Sequence, residues 1–340
     1  MTSQSFQALV ARQGEHGQSL ALETLTDADL PEAAVTVDID YSSFNYKDGL
    51  ALTGRGRILR HYPIIPGIDF AGRVSHSTSK SFTVGDKVVL TGWGVGEAWP
   101  GGFSQRARVK PEWLVGIPAA IGCREAMIIG TAGLTAMLCV MALERHGIRK
   151  DGRILVTGAA GGVGSIAIRL LSRLGYQVTA LTGRPNEQAF FEALGAVSIL
   201  HRAEMEGAKK PLRTERWDGV IDSVGGVILA NAISELVRGG AAAACGLVAG
   251  SELPTTVLPF ILRGVALLGV DSVYCPPELR KEAWHRLARD LHAEDLYAVA
   301  EEVRLDDLPA RAEAILAGHI RGRTVVNVQA HSDRAGSAGS

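Results

Sequence analysis

Ile154-Leu155-Val156-Thr157-Gly158-Ala159-Ala160-Gly161-Gly162-Val163-Gly164 is the stretch from which the architecture of this chain can be read. Three apolar residues make a short strand, a run of small residues makes a tight turn, and Val163–Leu174 carries the spacing of an amphipathic helix. Small side chains let backbone N–H groups approach a pyrophosphate, and a helix N-terminus adds partial positive charge there. A glycine-rich turn alone says little, because tight turns need glycine anyway. Here a strand precedes it and a helix follows, which is the context a dinucleotide site requires. Ala160, Gly161, Gly162, Val163 and Gly164 are the expected phosphate cradle.

Working outward, the same alternation continues. Strands are predicted at Val178–Leu181, Ser198–Leu200, Val220–Asp222, Ala241–Ala244 and Ala266–Gly269, with helices at Glu187–Leu194 and Val227–Val237. The Pro254–Arg263 connection is less regular. Six short apolar strands with such crossovers imply an α/β fold with a doubly wound parallel sheet. The end of the second strand distinguishes the coenzymes. An NAD site places Asp or Glu there for the ribose 2′-hydroxyl. This chain reads Leu181-Thr182-Gly183-Arg184, with no carboxylate before Glu187. A hydroxyl followed by a guanidinium suits a 2′-phosphate, so Thr182, Gly183 and Arg184 predict NADPH; a capping Thr beside a solvated Arg is the plainer alternative. Arg202, just past the third strand, is either a second charge for that phosphate or a surface arginine. Ligands bind beyond the carboxyl ends of such strands, which puts Leu247, after the fifth strand, and Ser272, after the sixth, where nicotinamide contacts are expected.

Upstream, to about Arg124, the chain reads as strands and turns: Val35–Ile39, Phe70–Ser75, and Lys87–Thr91 after a Gly85-Asp86 turn. Trp93–Gly102, with four glycines and a proline, reads as an irregular loop. Downstream, Pro277 opens a charged helix to about His292, Leu308–Ala317 is a second, and Thr324–Val328 is a closing strand with no partner in the alternation. That strand is expected to return to the first domain. The expected division is therefore 1–125, a mainly β domain; 126–275, the nucleotide domain; 276–329, a return to the first; and 330–340, a polar, disordered tail.

Among 340 residues, 46% are hydrophobic and 21% charged, which is ordinary globular composition for about two domains. A formal charge of −1 provides no global field for nucleic acid or an anionic membrane. Cys123, Cys139, Cys245 and Cys275 form no CxxC pair and sit in or beside apolar stretches, as buried thiols in a reducing compartment would. Ala126–Leu143 is eighteen residues without a charge, near the lower limit for a membrane span; Gly130, Thr131, Gly133 and Thr135 and the lack of flanking anchors favour a buried helix. No secretory signal is visible at Met1–Phe6, and the expectation is a cytoplasmic protein.

Asn45-Tyr46-Lys47-Asp48, Ile65-Pro66-Gly67-Ile68-Asp69-Phe70, Leu90-Thr91-Gly92-Trp93-Gly94-Val95-Gly96, Ile128-Ile129-Gly130-Thr131-Ala132-Gly133 and Gly269-Val270-Asp271-Ser272-Val273 give the chain a closer likeness. It resembles the medium-chain dehydrogenases/reductases of the quinone-oxidoreductase type and, within them, the acrylyl-CoA reductase (NADPH) family. The resemblance implies a GroES-like, mainly β catalytic domain, a Rossmann domain and an active-site cleft. Zinc-dependent relatives carry Gly-His-Glu where this chain has Gly67-Ile68-Asp69, and a cysteine in the Asn45-Tyr46 region. A catalytic zinc needs about three protein ligands, so no metal is expected.

Without a Lewis acid, carbonyl reduction loses its electrophile, whereas reduction of an activated C=C bond needs none. The family implies acryloyl-CoA as substrate and propionyl-CoA as product; the residues alone reach only an activated alkene. Asn45, Tyr46 and Lys47 are the expected catalytic residues. A phenol hydroxyl is a hydrogen-bond donor, so Tyr46 can donate to the thioester oxygen, to the coenzyme ribose, or to the α-carbon. Asp69 either fixes a site residue or satisfies buried donors. Thr131 and Thr135, four apart on the uncharged helix, share a face that in the family meets the coenzyme; back-bonding to helix carbonyls is the alternative. Arg55, Arg57 and Arg60 are candidates for CoA phosphates or a solvated loop, and Arg323 is a further cation without an assigned role. His146, His201 and His285 have no catalytic partners at recognisable spacing, which argues against a hydrolase. The expected partners are an acyl-CoA thioester and a second copy of the chain, as a homodimer. The rival readings are an NADPH:quinone reductase and a noncatalytic NADPH-binding protein.

Overall fold

Val35, Val37 and Ile39 point inward with no exposed surface, and this period of two sets the first layer. In the computed structural model, which describes residues 5–15, 17–207 and 210–330, β1 (Ser5–Gly14) pairs antiparallel with β2 (Gly17–Thr26). A larger sheet is built around β3 (Val35–Phe44). Helix α1 (Tyr46–Leu52) follows it, then β4 (Asp69–Ser77), β5 (Lys87–Thr91), β6 (Arg106–Val109) and β7 (Leu114–Gly116). Strand β3 pairs antiparallel with both β4 and β6, β4 pairs with β5, and β5 with β7. Phe44, Phe70, Val88, Leu90 and Phe103 fill the core beneath, each such side chain contributing roughly 1.5–3 kcal/mol on burial.

Helix α2 (Cys123–His146) leads into a parallel sheet. Its members are β8 (Arg153–Val156), α3 (Gly162–Arg173), β9 (Gln177–Thr182), α4 (Gln188–Leu194), β10 (Ser198–His201), β11 (Trp217–Asp222), α5 (Gly226–Ser234), β12 (Leu236–Ala244), α6 (Leu258–Arg263) and β13 (Ala266–Gly269). The spatial order β10-β9-β8-β11-β12-β13 reverses direction between β8 and β11. This is the doubly wound order expected from the sequence. Ile154, Leu155 and Val156 are wholly buried, as a central parallel strand requires. Helix α5 stops at Ser234, short of the predicted Val237, because Leu236 already pairs with Trp217 in the sheet.

Helices α7 (Pro277–Asp290) and α8 (Ala293–Tyr297) come next, then β14 (Ala300–Arg304), α9 (Leu308–Leu316) and β15 (Arg323–Asn327). Strand β15 pairs antiparallel with β3, Thr324 opposite Phe44, so the closing strand does return to the first layer. The contacts define two units, Met1–Thr131 with Ala300–Ser340, and Ala132–Val299. The return therefore begins at Ala300 rather than at 276. Residues 276–299 stay with the nucleotide unit because Arg280 of α7 donates to the carbonyls of Ser272 and Val273, and Asp295 of α8 pairs with Arg169 and Arg173 of α3. The nucleotide unit likewise starts after Thr131, not at 126. Of the expected disordered tail 330–340, all but Ala330 lies outside the described residues.

Among the described residues α2 is the one helix long and apolar enough to cross a membrane, and 89% of its apolar window is buried inside the protein. The four cysteines are free thiols, three buried and Cys245 half-buried.

Candidate active site

Strand pairing brings three polar residues to one end of the first sheet. Ser42 lies opposite Phe70 in the β3–β4 register and Val325 lies opposite Ser43 in the β15–β3 register, so Ser43, Asp69 and Arg323 become neighbours. Asp69 has no exposed surface. Its Oδ1 accepts from the Ser43 N–H at 3.1 Å and the Ser43 hydroxyl at 2.8 Å, and its Oδ2 accepts from the Thr131 N–H at 2.8 Å and from Asn45 Nδ2 at 3.2 Å. Both sequence readings of Asp69 therefore hold together: it satisfies buried backbone donors and fixes Asn45.

Asn45 is the N-cap of α1, extended at φ −114°. Its N–H and amide donate to Asp48 Oδ2 at 2.9 and 3.1 Å, while Asp48 Oδ1 accepts from the Ile68 N–H at 3.0 Å. Arg323, only 2% exposed, donates to the Ile128 carbonyl at 2.8 Å, to Asn45 Oδ1 at 3.2 Å and to the Ser43 hydroxyl at 2.8 Å. One buried guanidinium thus lies among two buried carboxylates. Burial, and then the Asp69 carboxylate, push the Asp48 carboxyl up to about 7, against the hydrogen bonds it accepts from Asn45 and Ile68. Burial lowers the Arg323 guanidinium from its usual value, opposed by Asp69 and Asp48.

Gly130 closes this network. Its backbone (φ 51°, ψ −158°) interrupts α2, and a side-chain carbon there would lie 2.6 Å from the Ser43 hydroxyl and 2.7 Å from the Arg323 guanidinium. Only glycine tolerates both the conformation and the crowding.

Among the expected catalytic residues, the structure spends Asn45 and Lys47 on protein partners: Asn45 in the network above, Lys47 on Glu97 Oε1 at 3.0 Å. Tyr46, the first residue of α1, is 36% exposed. Arg323 is buried, which removes it as a cation for CoA phosphates. Arg57 and Arg60 are exposed, and Arg55 pairs with Glu313 at 3.0 Å. A zinc ion does not fit here. Asp48 and Asp69 already accept several N–H and O–H donors, Ile68 presents no donor atom, and among the described residues no three His, Cys, Asp or Glu side chains gather.

In the nucleotide unit, Gly161 caps α3 and Ala160, Gly161, Gly162 and Val163 are half-exposed at its N-terminus. A side-chain carbon on Gly164 would sit 2.3 Å from the Gly158 carbonyl oxygen, so the turn closes only with glycine there. Thr182 ends β9, and its hydroxyl accepts from the Arg184 N–H at 2.9 Å. The Arg184 guanidinium rests 3.5 Å from Glu187. Arg202, paired with Glu206 at 2.8 Å, lies over Gly183. Thr182, Gly183, Arg184 and Arg202 are thus brought together at the ends of β9 and β10, where His201 pairs with Thr182. Leu247 is 67% exposed beyond β12, and the Ser272 hydroxyl accepts from that of Thr135 at 2.9 Å. Small residues at the turn, an open helix terminus and two arginines at the ends of β9 and β10 fit an NADP-type coenzyme. Thr131, through its N–H, belongs to the Asp69 network.

Ser43, Asp48 and Arg323 were not singled out as a group from sequence. Asp48, three residues after Asn45, has the spacing of a helix-start box and was legible; no local signal tied Arg323 to residues some 280 positions earlier.

The two folds define a class, the medium-chain dehydrogenases/reductases. Residues 31–119 match the alcohol dehydrogenase GroES-like domain and residues 162–289 the zinc-binding dehydrogenase domain. Over nearly its whole length the chain is 52% identical to a probable acrylyl-CoA reductase of Escherichia coli (95% of this chain, 99% of that one) and 50% identical to the acrylyl-CoA reductase of Ruegeria pomeroyi (96% and 100%). An oxidoreductase from Salmonella enterica solved in complex with NADP superposes with a TM-score of 0.93 at 52% identity, covering 95% of this chain and 100% of that one. The chain belongs to the acrylyl-CoA reductase family.

Proposed function

We propose that this protein reduces the C=C bond of acryloyl-CoA to give propionyl-CoA with NADPH. The observation that carries the reading is the near full-length identity with acrylyl-CoA reductases, joined to an arginine-bearing, carboxylate-free strand end at Thr182–Arg184. When bound, NADPH supplies the hydride that goes to the β-carbon.

The chain's own residues do the rest. The N–H groups from Ala160 to Gly164 hold the pyrophosphate. Thr182, Gly183, Arg184 and Arg202 receive the 2′-phosphate, the guanidiniums exchanging Glu187 and Glu206 for a dianion. Thr135, Leu247 and Ser272 would line the nicotinamide. As hydride arrives, charge develops on the thioester oxygen, and a positioned donor there lowers the barrier. Tyr46 is the donor the site offers, to that oxygen, to the ribose or to the α-carbon. Asn45 and Lys47 act through it, by fixing the start of α1.

The protein works as a cytoplasmic homodimer. Support for pairing lies in β13, which forms one edge of the parallel sheet and carries the exposed Leu267, and in the exposed Ile261 and Leu262 of the preceding α6. An open, apolar strand edge invites a partner strand.

Steady-state NADPH oxidation with acryloyl-CoA and with a soluble quinone separates the two enzymatic readings. The expected result is a kcat/KM for the thioester at least about a hundredfold higher, within the usual enzymatic range. Comparable values, or turnover of the quinone alone, overturn the assignment.

A further inference from the structure

Strands β8 and β11 lie side by side where the order of the parallel sheet reverses. Ligands of open α/β sheets bind outside the strand ends at such a point. The residue closing β11 is Asp222, a carboxylic acid with no exposed surface. Its two oxygens serve the two sides of the crevice: the Thr157 hydroxyl donates to Oδ1 at 2.6 Å, and the Gly225 N–H donates to Oδ2 at 2.8 Å. Thr157 is the residue that joins β8 to the glycine turn. Ser223 completes the stitch, its N–H donating to the Thr157 hydroxyl at 3.1 Å and its own hydroxyl to the Thr157 carbonyl at 3.2 Å. The loop after β12 is drawn in as well. The Asp222 carbonyl accepts from the Cys245 N–H at 2.9 Å and its thiol at 3.2 Å. Gly246 then passes so close that a side-chain carbon would lie 2.1 Å from the Ser223 carbonyl oxygen.

We propose that Asp222 is a positioning residue for the coenzyme, locking the turns after β8, β11 and β12 into one crevice for its pyrophosphate and nicotinamide half. The inference rests on the dinucleotide reading above and adds a residue that acts through Thr157 and Gly225. A buried carboxylate is costly unless its hydrogen bonds are made, and an apolar residue would end a buried strand at less cost. What the carboxylate contributes is fixed geometry. Burial raises the Asp222 carboxyl above the usual carboxylate range, and the bonds from Thr157 and Gly225 work against that rise. The adenosine end is held elsewhere, after β9 and β10, by groups that share no bond with Asp222. The two halves of the coenzyme are therefore separable by experiment.

The test is calorimetric titration of NADPH and of adenosine 2′-monophosphate into the full chain, comparing wild type with Asp222→Ala and Thr157→Val. Both variants should lose NADPH affinity by about tenfold or more, the scale of one unmade buried hydrogen bond. Affinity for the 2′-monophosphate, which lacks the pyrophosphate and reports only the adenosine end, should stay within about twofold. Thr157→Val keeps the shape of the side chain and removes only the hydroxyl, so it reads the tether even where Asp222→Ala fails to fold. An equal loss of both ligands, as general loosening would produce, overturns the proposal. So does unchanged NADPH affinity in Thr157→Val. A wild-type protein that binds neither ligand overturns the dinucleotide reading and this inference with it.

Discussion

At Asp48 the environment of a single carboxyl reaches the stability of the whole fold. Its pKa in the native protein is about 7, against roughly 3.9 for an unperturbed Asp. Between those values the native state binds more protons than the unfolded one, so stability falls as pH rises through the window. The slope from this group is up to about 1.4 kcal/mol per pH unit. Asp48→Asn cannot ionise, and its urea midpoint should decline less between pH 5 and 7.5 than that of wild type. Parallel curves for the two proteins would remove Asp48 as the source. Arg184 belongs to the same scale. Arg184→Ala should raise the Kd for NADPH by about 10- to 100-fold, the worth of charge-assisted bonds to a phosphate, and leave that for NADH nearly unchanged. Equal effects on both coenzymes would defeat the assignment to the 2′-phosphate.

Among the elements, the parallel sheet was the most legible, because fully buried strands and amphipathic crossovers write different periods into the chain. The coarse positions of β8 to β13 follow from those periods, and so does the helix from Gly162. Strand β14 and the β1–β2 pair were not anticipated, since mixed polar and apolar runs such as Ala300–Arg304 have no clear period. Strand β13 carries its own prediction. Alternation along Ala266–Gly269 leaves Leu267 partly exposed at the open edge. Leu267→Glu should shift the protein from dimer to monomer in sedimentation velocity, since a carboxylate buried in a strand-to-strand interface without a partner costs several kcal/mol. A wild-type protein sedimenting as a monomer would exclude pairing outright.

Across the whole molecule, local patterns determined the class of fold, the phosphate turn and the likeness to NADPH-dependent reductases. Each of these is a property of contiguous residues: small side chains after a strand, a guanidinium where a carboxylate would otherwise stand, a histidine position filled by Ile68. Folding alone decided the company of Ser43, Asn45, Asp48, Asp69 and Arg323. Pairing of β3 with β4 and β15 joins segments that lie far apart along the chain, and no periodicity encodes that register. It also decided that Asn45 and Lys47 are held by the protein while Tyr46 stays exposed. Asp222 looked like the end of a strand and became the knot of three loops, because a hydrogen-bond partner is chosen by distance in space, to which sequence position is blind.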